Sequence, residues 1–269
     1  MISKAALSGL RILIVNDDGV NAAGIKALER VANSITPDVW VVAPELEQSG
    51  KSFSVTFNSI LRVNEISPRK FSVSGTPADC VFIALEHILG DKKPDLILSG
   101  INHGENVADF IGMSGTVGAA LAAAAQGIKA LAVSQHRDQN GQTPAKFALA
   151  DHFLPAIIKK LMSFSWPDRV CMNINLPCVP FGEVKGIKIA EQGQLNVAYQ
   201  IMERKDPDGR TYYWIHPDYK ALGKENDKNA NSDIVLVEKE NYVTITPLKG
   251  RNDFLECSSE LEELFASNV

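Results

Sequence analysis

From Arg11 to Asn175, short apolar runs alternate with spans of helical periodicity, and this alternation constrains the fold more than any other feature of the chain. Arg11–Asn16 (RILIVN) is rich in β-branched residues and ends in a polar turn, as a buried parallel strand does. Ala22–Ser34 then places Ile25, Leu28, Val31 and Ala32 at helical spacing. Asp38–Ala43 (DVWVVA) is a second strand, stopped by Pro44. Leu96–Leu98, Ala130–Ser134 and Val170–Asn175 (VCMNIN) are further strands, and helices are expected near Pro77–Leu89, Thr116–Gln126 and Ala145–Ser163. Such alternation predicts βαβ units: an α/β fold with a mainly parallel sheet and helices on both faces.

The pattern changes after about residue 180. Segments 184–190, 196–203, 211–216, 233–238 and 242–246 read as strands or hairpin arms, joined by polar turns such as Asp206-Pro207-Asp208-Gly209. A last helical pattern covers about 255–266. The expected organisation is a catalytic α/β core over residues 1–182 and a β-rich extension over 183–269.

A hydrophobic content of 45% suits a full-sized core. The net charge of -5 and a pI near 5.6 argue against stable nucleic-acid binding, which needs a basic footprint. They do not argue against a small anion, because a bound metal ion reverses the local potential. The four cysteines show no C-x-x-C pair and read as reduced thiols, with Cys80 and Cys171 in apolar stretches. The N-terminus lacks a long apolar region, and the alanine-rich segment 117–125 is too short to span a bilayer. A cytoplasmic protein without membrane attachment is expected. Trp40, Trp166 and Trp214 read as packing residues.

Three polar clusters fall at the carboxyl ends of strands, where open α/β sheets bind ligands. The first is Asn16-Asp17-Asp18-Gly19. Alone it reads as a solvated turn with a capping aspartate, yet adjacent carboxylates repel unless a cation pairs them, and a hard divalent ion does so. The second, Gln48-Ser49-Gly50-Lys51-Ser52, is a polar loop whose hydroxyls and N–H groups suit a metal or an anion. The third runs from Ser99 through Asn102, His103, Gly104, Glu105 and Asn106, and leads to Ser114-Gly115-Thr116 at the start of a small-residue helix. Free N–H groups and the helix dipole there favour an anion.

In this order the clusters closely resemble the SurE (survival protein E) family of acid phosphatases and 5′-nucleotidases. The matching stretches are RILIVNDDGVNAAGI, VVAPELEQSGKS, SGTPADC, PDLILSGINHGENV and SGTVGAA, with weaker echoes in MNINLP and YVTITPL. The resemblance implies metal ligands at Asp17, Asp18, Ser49 and Asn102, and one Mg²⁺ or Mn²⁺ per subunit. It implies hydrolysis of nucleoside 5′- and 3′-monophosphates, sometimes short polyphosphate, by a homodimer or homotetramer. The implied fold is a Rossmann-like core, with a protruding hairpin and an exchanged C-terminal segment.

A metal there would acidify a water for in-line attack on phosphorus. Asp17 or Asp18 would position that water or accept its proton. Phosphate oxygens would meet Asn102, Gly104, Asn106 and Ser114–Thr116, and His103 is the candidate proton donor to the leaving oxygen. Glu105 and Asn106 could support the ligands. Three other readings fit less well. A phospho-receiver domain lacks its acceptor carboxylate near Ser99 or Gly100. An aspartyl-phosphate hydrolase of the haloacid dehalogenase type needs D-x-D where the acids here are adjacent. A non-catalytic phosphate- or nucleotide-binding module is the third.

Overall fold

The computed structural model describes residues 7–138, 147–195, 199–217 and 229–250. The expected helix at 255–266, and Cys257, lie outside the described residues. The elements of the first half are β1 (Arg11–Val15), α1 (Ala23–Asn33), β2 (Asp38–Pro44), β3 (Val63–Ser67), β4 (Lys70–Val73) and α2 (Pro77–Ile83). Then come β5 (Leu96–His103), α3 (Gly115–Ala125), β6 (Ala130–Gln135), α4 (Ala148–Met162) and β7 (Val170–Leu176). The last are β8 (Ile187–Ile189), β9 (Tyr199–Lys205), β10 (Thr211–Pro217) and β11 (Val243–Lys249).

Nine strands form one sheet in the order β3-β4-β2-β1-β5-β6-β7-β11-β8. From β4 to β7 every neighbouring pair is parallel, while β3 and β11 run antiparallel to β4 and β7. The two-residue side-chain period of β1 explains the layers. Ile12 and Ile14 face a core shared with α1 and α4, through Ile25, Leu28, Leu154 and Ile157. Leu13 and Val15 face the opposite core, shared with α2 and α3, through Val81, Val117 and Ala120. A strand buried on both faces has to be apolar, and Ile12–Val15 is, with Arg11 half-buried at its start.

The parallel sheet with helices on both faces matches the sequence reading. The hairpin β9–β10 is a separate two-stranded sheet, whereas β8 and β11 complete the main one. Three details differ from expectation. Strands β3 and β4 were not expected. The residues of β3 are all exposed at the sheet edge, so they carry little apolar pattern. Segment 233–238 is helical instead of a strand, with a wide turn at Val235–Lys239 that buries Leu236 and Val237; four apolar residues in a row do not distinguish the two periods. Trp214 is 61% exposed on β10 and packs into no core of the described chain. Trp40, by contrast, stacks on Phe71 at 6.3 Å, and Trp166 packs against the core. Cys80 and Cys171 are buried free thiols, and burial pushes Cys171 up to about 12.

Candidate metal and phosphate site

The chain leaves β1 toward β2 on one side, while β5 lies on the other. This reversal opens a crevice at the carboxyl ends of β1 and β5, the place where α/β sheets take ligands. Asp17 and Asp18 follow β1, and Asn102 and His103 end β5.

Asp17 is only 3% exposed. Its carboxylate accepts hydrogen bonds from the Thr116 backbone N–H, at 3.1 Å, and from the Thr116 hydroxyl. The first turn of α3 thus binds a carboxylate from within the chain, a use its free N–H groups and dipole favour. Such an approach requires glycine at 115, where a Cβ would stand 2.9 Å from both Cβ and Oδ2 of Asp17. Ser114 caps the same helix by accepting from Val117 N–H at 3.1 Å.

Asp18 is half-buried and accepts the backbone N–H of His103, which brings it beside Asn102. Asn102 donates its Nδ2 to Gly104 O at 2.7 Å, so its Oδ1 is the atom left for a ligand. The Ser49 loop is tied in by Gln48 N–H donating to Asp17 O at 2.7 Å. Ser49 is exposed, and its hydroxyl donates to Glu47 Oε1 at 2.8 Å. Farther along this loop, Ser52 bonds Gly112 O and Met113 O. Thr56 donates twice to Asp79, the buried acid of the Thr76–Asp79 capping box that starts α2. SGTPADC is therefore a brace for the Ser49 loop.

Electrostatics distinguish the acid pair from an ordinary turn. Burial raises the Asp17 pKa, opposed mainly by Thr116. Burial first, and the Asp17 charge second, push Asp18 up to about 7. Among the described residues no basic side chain forms an ion pair with either acid. One buried and one half-buried carboxylate, adjacent and with a hydroxyl and an amide oxygen nearby, are a hard-oxygen donor set. That set fits a divalent cation of the Mg²⁺ or Mn²⁺ type and not a soft one.

The remaining residues divide by position. His103 is exposed, and its pKa is lowered by burial of the ring face and by the Arg137 charge. Asn106 is buried and held from all sides. Its N–H donates to Asn175 Oδ1 at 2.8 Å, its Nδ2 to Ser134 Oγ at 2.8 Å, and its carbonyl accepts from Asn173 and Asn175. Glu105 pairs with His136 Nδ1 at 2.6 Å. Glu105, His136 and Glu238 place their ligand atoms within 4.8 Å of one another.

Sequence reasoning passed over several residues. Asn173 and Asn175 stand at i and i+2 in an apolar strand, hence on one face, and a buried amide needs a partner there. Asp233 left no such signal. It is fully buried and accepts N–H bonds from Ala108, at 3.2 and 3.3 Å, Gly193, at 3.0 Å, and Ile234, at 2.8 Å. One carboxylate near the C-terminal strand thereby holds the end of the 102–108 loop.

The model of the survival protein SurE family matches residues 12–198. A 5′-nucleotidase SurE of Paramagnetospirillum magneticum is 44% identical over 241 residues, covering 90% of each chain. One from Afipia carboxidovorans is 40% identical and covers 95% of this chain and 99% of its own. The crystal structure of the SurE protein from Aquifex aeolicus superposes with a TM-score of 0.78 at 34% identity, covering 94% of this chain and 99% of that one. With the acid pair, the Ser49 loop, Asn102 and the Gly115–Thr116 helix end meeting at one crevice of that fold, the chain belongs to the SurE family.

Proposed function

We propose that this protein is a divalent-metal-dependent 5′-nucleotidase, a phosphomonoesterase that converts nucleoside monophosphates to nucleoside and phosphate. Its relatives carry that activity in their names. The observation that carries the reading is the acid pair: Asp17 and Asp18 are buried together, with pKa values raised and the Asn102 segment hydrogen-bonded alongside. The ligands are Asp17, Asp18, Ser49 and Asn102, holding one Mg²⁺ or Mn²⁺. The ion supplies charge neutralisation and an acidified water.

The chain's own residues do the rest. Thr116 fixes the rotamer of Asp17, leaving Asp18 placed to position the attacking water or accept its proton. The Ser114 hydroxyl, the Gly115 N–H and the Asn102 side chain line the phosphate side, while Gly104, Thr116 and Asn106 act through the groups they hold. His103 serves as proton donor to the leaving oxygen at acidic pH, where its imidazole is charged. Hydrolysis of 3′-monophosphates and short polyphosphate belongs to the same reading.

Residues 1–182 make the catalytic unit, and 183–269 build a homodimer or homotetramer. The exposed Tyr199, Ile201, Tyr213, Trp214 and Ile215 of the hairpin support this, being apolar surface of the kind partners cover. Among the described residues no helix is long and apolar enough to cross a membrane; a cytoplasmic location is proposed with the rest.

The test is a hydrolysis panel of nucleotides and polyphosphate against several divalent ions, with Asp17→Ala alongside. Metal-dependent turnover lost in the variant, with its circular dichroism unchanged, supports the assignment. Full turnover in excess chelator or in Asp17→Ala would overturn it. A trapped phosphoenzyme would point to the aspartyl-phosphate chemistry, and failure to cleave any monoester with Mn²⁺ to a binding module.

A further inference from the structure

Arg137 lies two residues past the end of β6 and is half-buried. Its guanidinium lies on the open side of Gly104: a Cβ at that position would stand 3.1 Å from Nε, 3.2 Å from Nη2 and 3.3 Å from Cζ. Gly104 has φ +127, and its missing side chain makes the room the guanidinium occupies. The contact is fixed from both sides. Gly104 N–H donates to Gln135 O at 3.0 Å, joining the ends of β5 and β6, and Gly104 O accepts from Asn102 Nδ2. Arg137 is thus one peptide layer from the Asn102 side chain.

The reach of its charge locates it further. It favours the ionised forms of Asp18 and Glu105 and disfavours protonation of His103 and His136. These groups follow β1, β5 and β6, so the Arg137 charge acts on the polar strand ends that border the crevice.

Charge balance then asks for such a group. Asp17, Asp18 and Glu47 act on one another at the site. One divalent ion offsets two of these charges. A phosphomonoester dianion approaching the crevice meets residual negative potential unless a second cation faces it. A guanidinium is suited to this, since its planar fork matches two phosphate oxygens and it cannot lose its proton.

We infer that Arg137 binds the phosphate of the nucleotide, clamping its non-bridging oxygens from the Gly104 side of the crevice. This rests on the nucleotidase reading and adds to it the residue that recognises the phosphate dianion. It also gives Gly104 a function: the glycine admits the guanidinium.

The experiment uses the full chain with Mn²⁺, comparing wild type with Arg137→Gln and Arg137→Lys. Three quantities are read: KM for a nucleoside monophosphate, inhibition by inorganic phosphate, and Mn²⁺ binding by calorimetry without phosphate. In Arg137→Gln, KM and the phosphate inhibition constant are expected to rise roughly tenfold or more, as for a lost pair of charge-assisted hydrogen bonds. Mn²⁺ binding is expected to hold or tighten, because a repelling charge is gone. Arg137→Lys is expected to recover part of the phosphate affinity, as a point charge without the fork.

Unchanged KM and phosphate inhibition in Arg137→Gln would overturn the assignment. So would a parallel loss of Mn²⁺ and phosphate binding with a lowered Tm, which would mark the arginine as structural. Wild-type protein that cleaves no nucleotide would instead remove the nucleotidase reading, so the two failures are distinguishable.

Discussion

Thr116 donates both its backbone N–H and its hydroxyl to the carboxylate of Asp17, across 99 residues of sequence. The helix end that could receive a phosphate therefore also orients a metal-ligand candidate. Thr116→Val keeps the backbone bond and removes the hydroxyl, a charge-assisted bond worth about 1.5–3 kcal/mol. The variant is expected to need more Mn²⁺ for half-maximal activity, and Thr116→Ser to restore the wild-type value. Metal titration of the hydrolysis rate checks both.

Gly115 tests the same contact sterically. Its Cβ would overlap Asp17 at 2.9 Å, and Asp17 is already held by Thr116. Gly115→Ala is expected to cost about 1–3 kcal/mol of stability by overpacking. Turnover is expected to fall roughly ten- to a hundredfold, the scale of a misplaced catalytic group. Thermal denaturation and kcat at saturating metal measure the two effects.

Asp233 couples the C-terminal region to the loop carrying Asn102 and Asn106. Asp233→Ala leaves the N–H groups of Ala108, Gly193 and Ile234 without this acceptor. Each buried unmatched donor costs about 1–3 kcal/mol, so a loss of at least about 2 kcal/mol is expected in urea unfolding. Asp233→Asn, which keeps one acceptor oxygen, is expected to fall between the two.

The Glu105–His136 pair sets a pH window. Burial opposes the charge on each, but the hydrogen bond and the partner's charge outweigh it, lowering Glu105 below 4.5 and raising His136 above 6.5. The Glu105 contribution is present above pH 4.5 and is lost as pH falls through its folded value. The His136 contribution is complete below pH 6.5 and is lost as pH rises through its folded value. Glu238 and Arg137 also face His136, with opposite effects. Glu105→Gln is expected to lower Tm most between pH 4.5 and 6.5, by the equivalent of about 1 kcal/mol. Melting curves across pH 4–9 check the window.

What the chain determines by itself is its periodicity and its punctuation. Ile12–Val15 suits burial on both faces, SGTPADC carries its own helix cap, and Asp17–Asp18 fall in the polar turn that ends the first apolar run. These are local consequences of side-chain spacing and turn chemistry, and the parallel sheet, the acid pair and the family resemblance were legible from them. The edge strand β3 and the short β4 inside it were not, since an exposed edge such as β3 needs no apolar pattern. Segment 233–238 was misread because its apolar run suits a strand and a helix alike.

Tertiary structure alone decided the rest, because it depends on which distant groups meet. Thr116 faces Asp17, Asp233 reaches Ala108 and Gly193, and Arg137 lies on Gly104. No spacing along the chain encodes these pairings. They follow from the strand order, which sets β1, β5 and β6 side by side and brings their polar ends to one crevice. Burial there raises the pKa of two turn-forming aspartates, so that both are charged together only beside a cation.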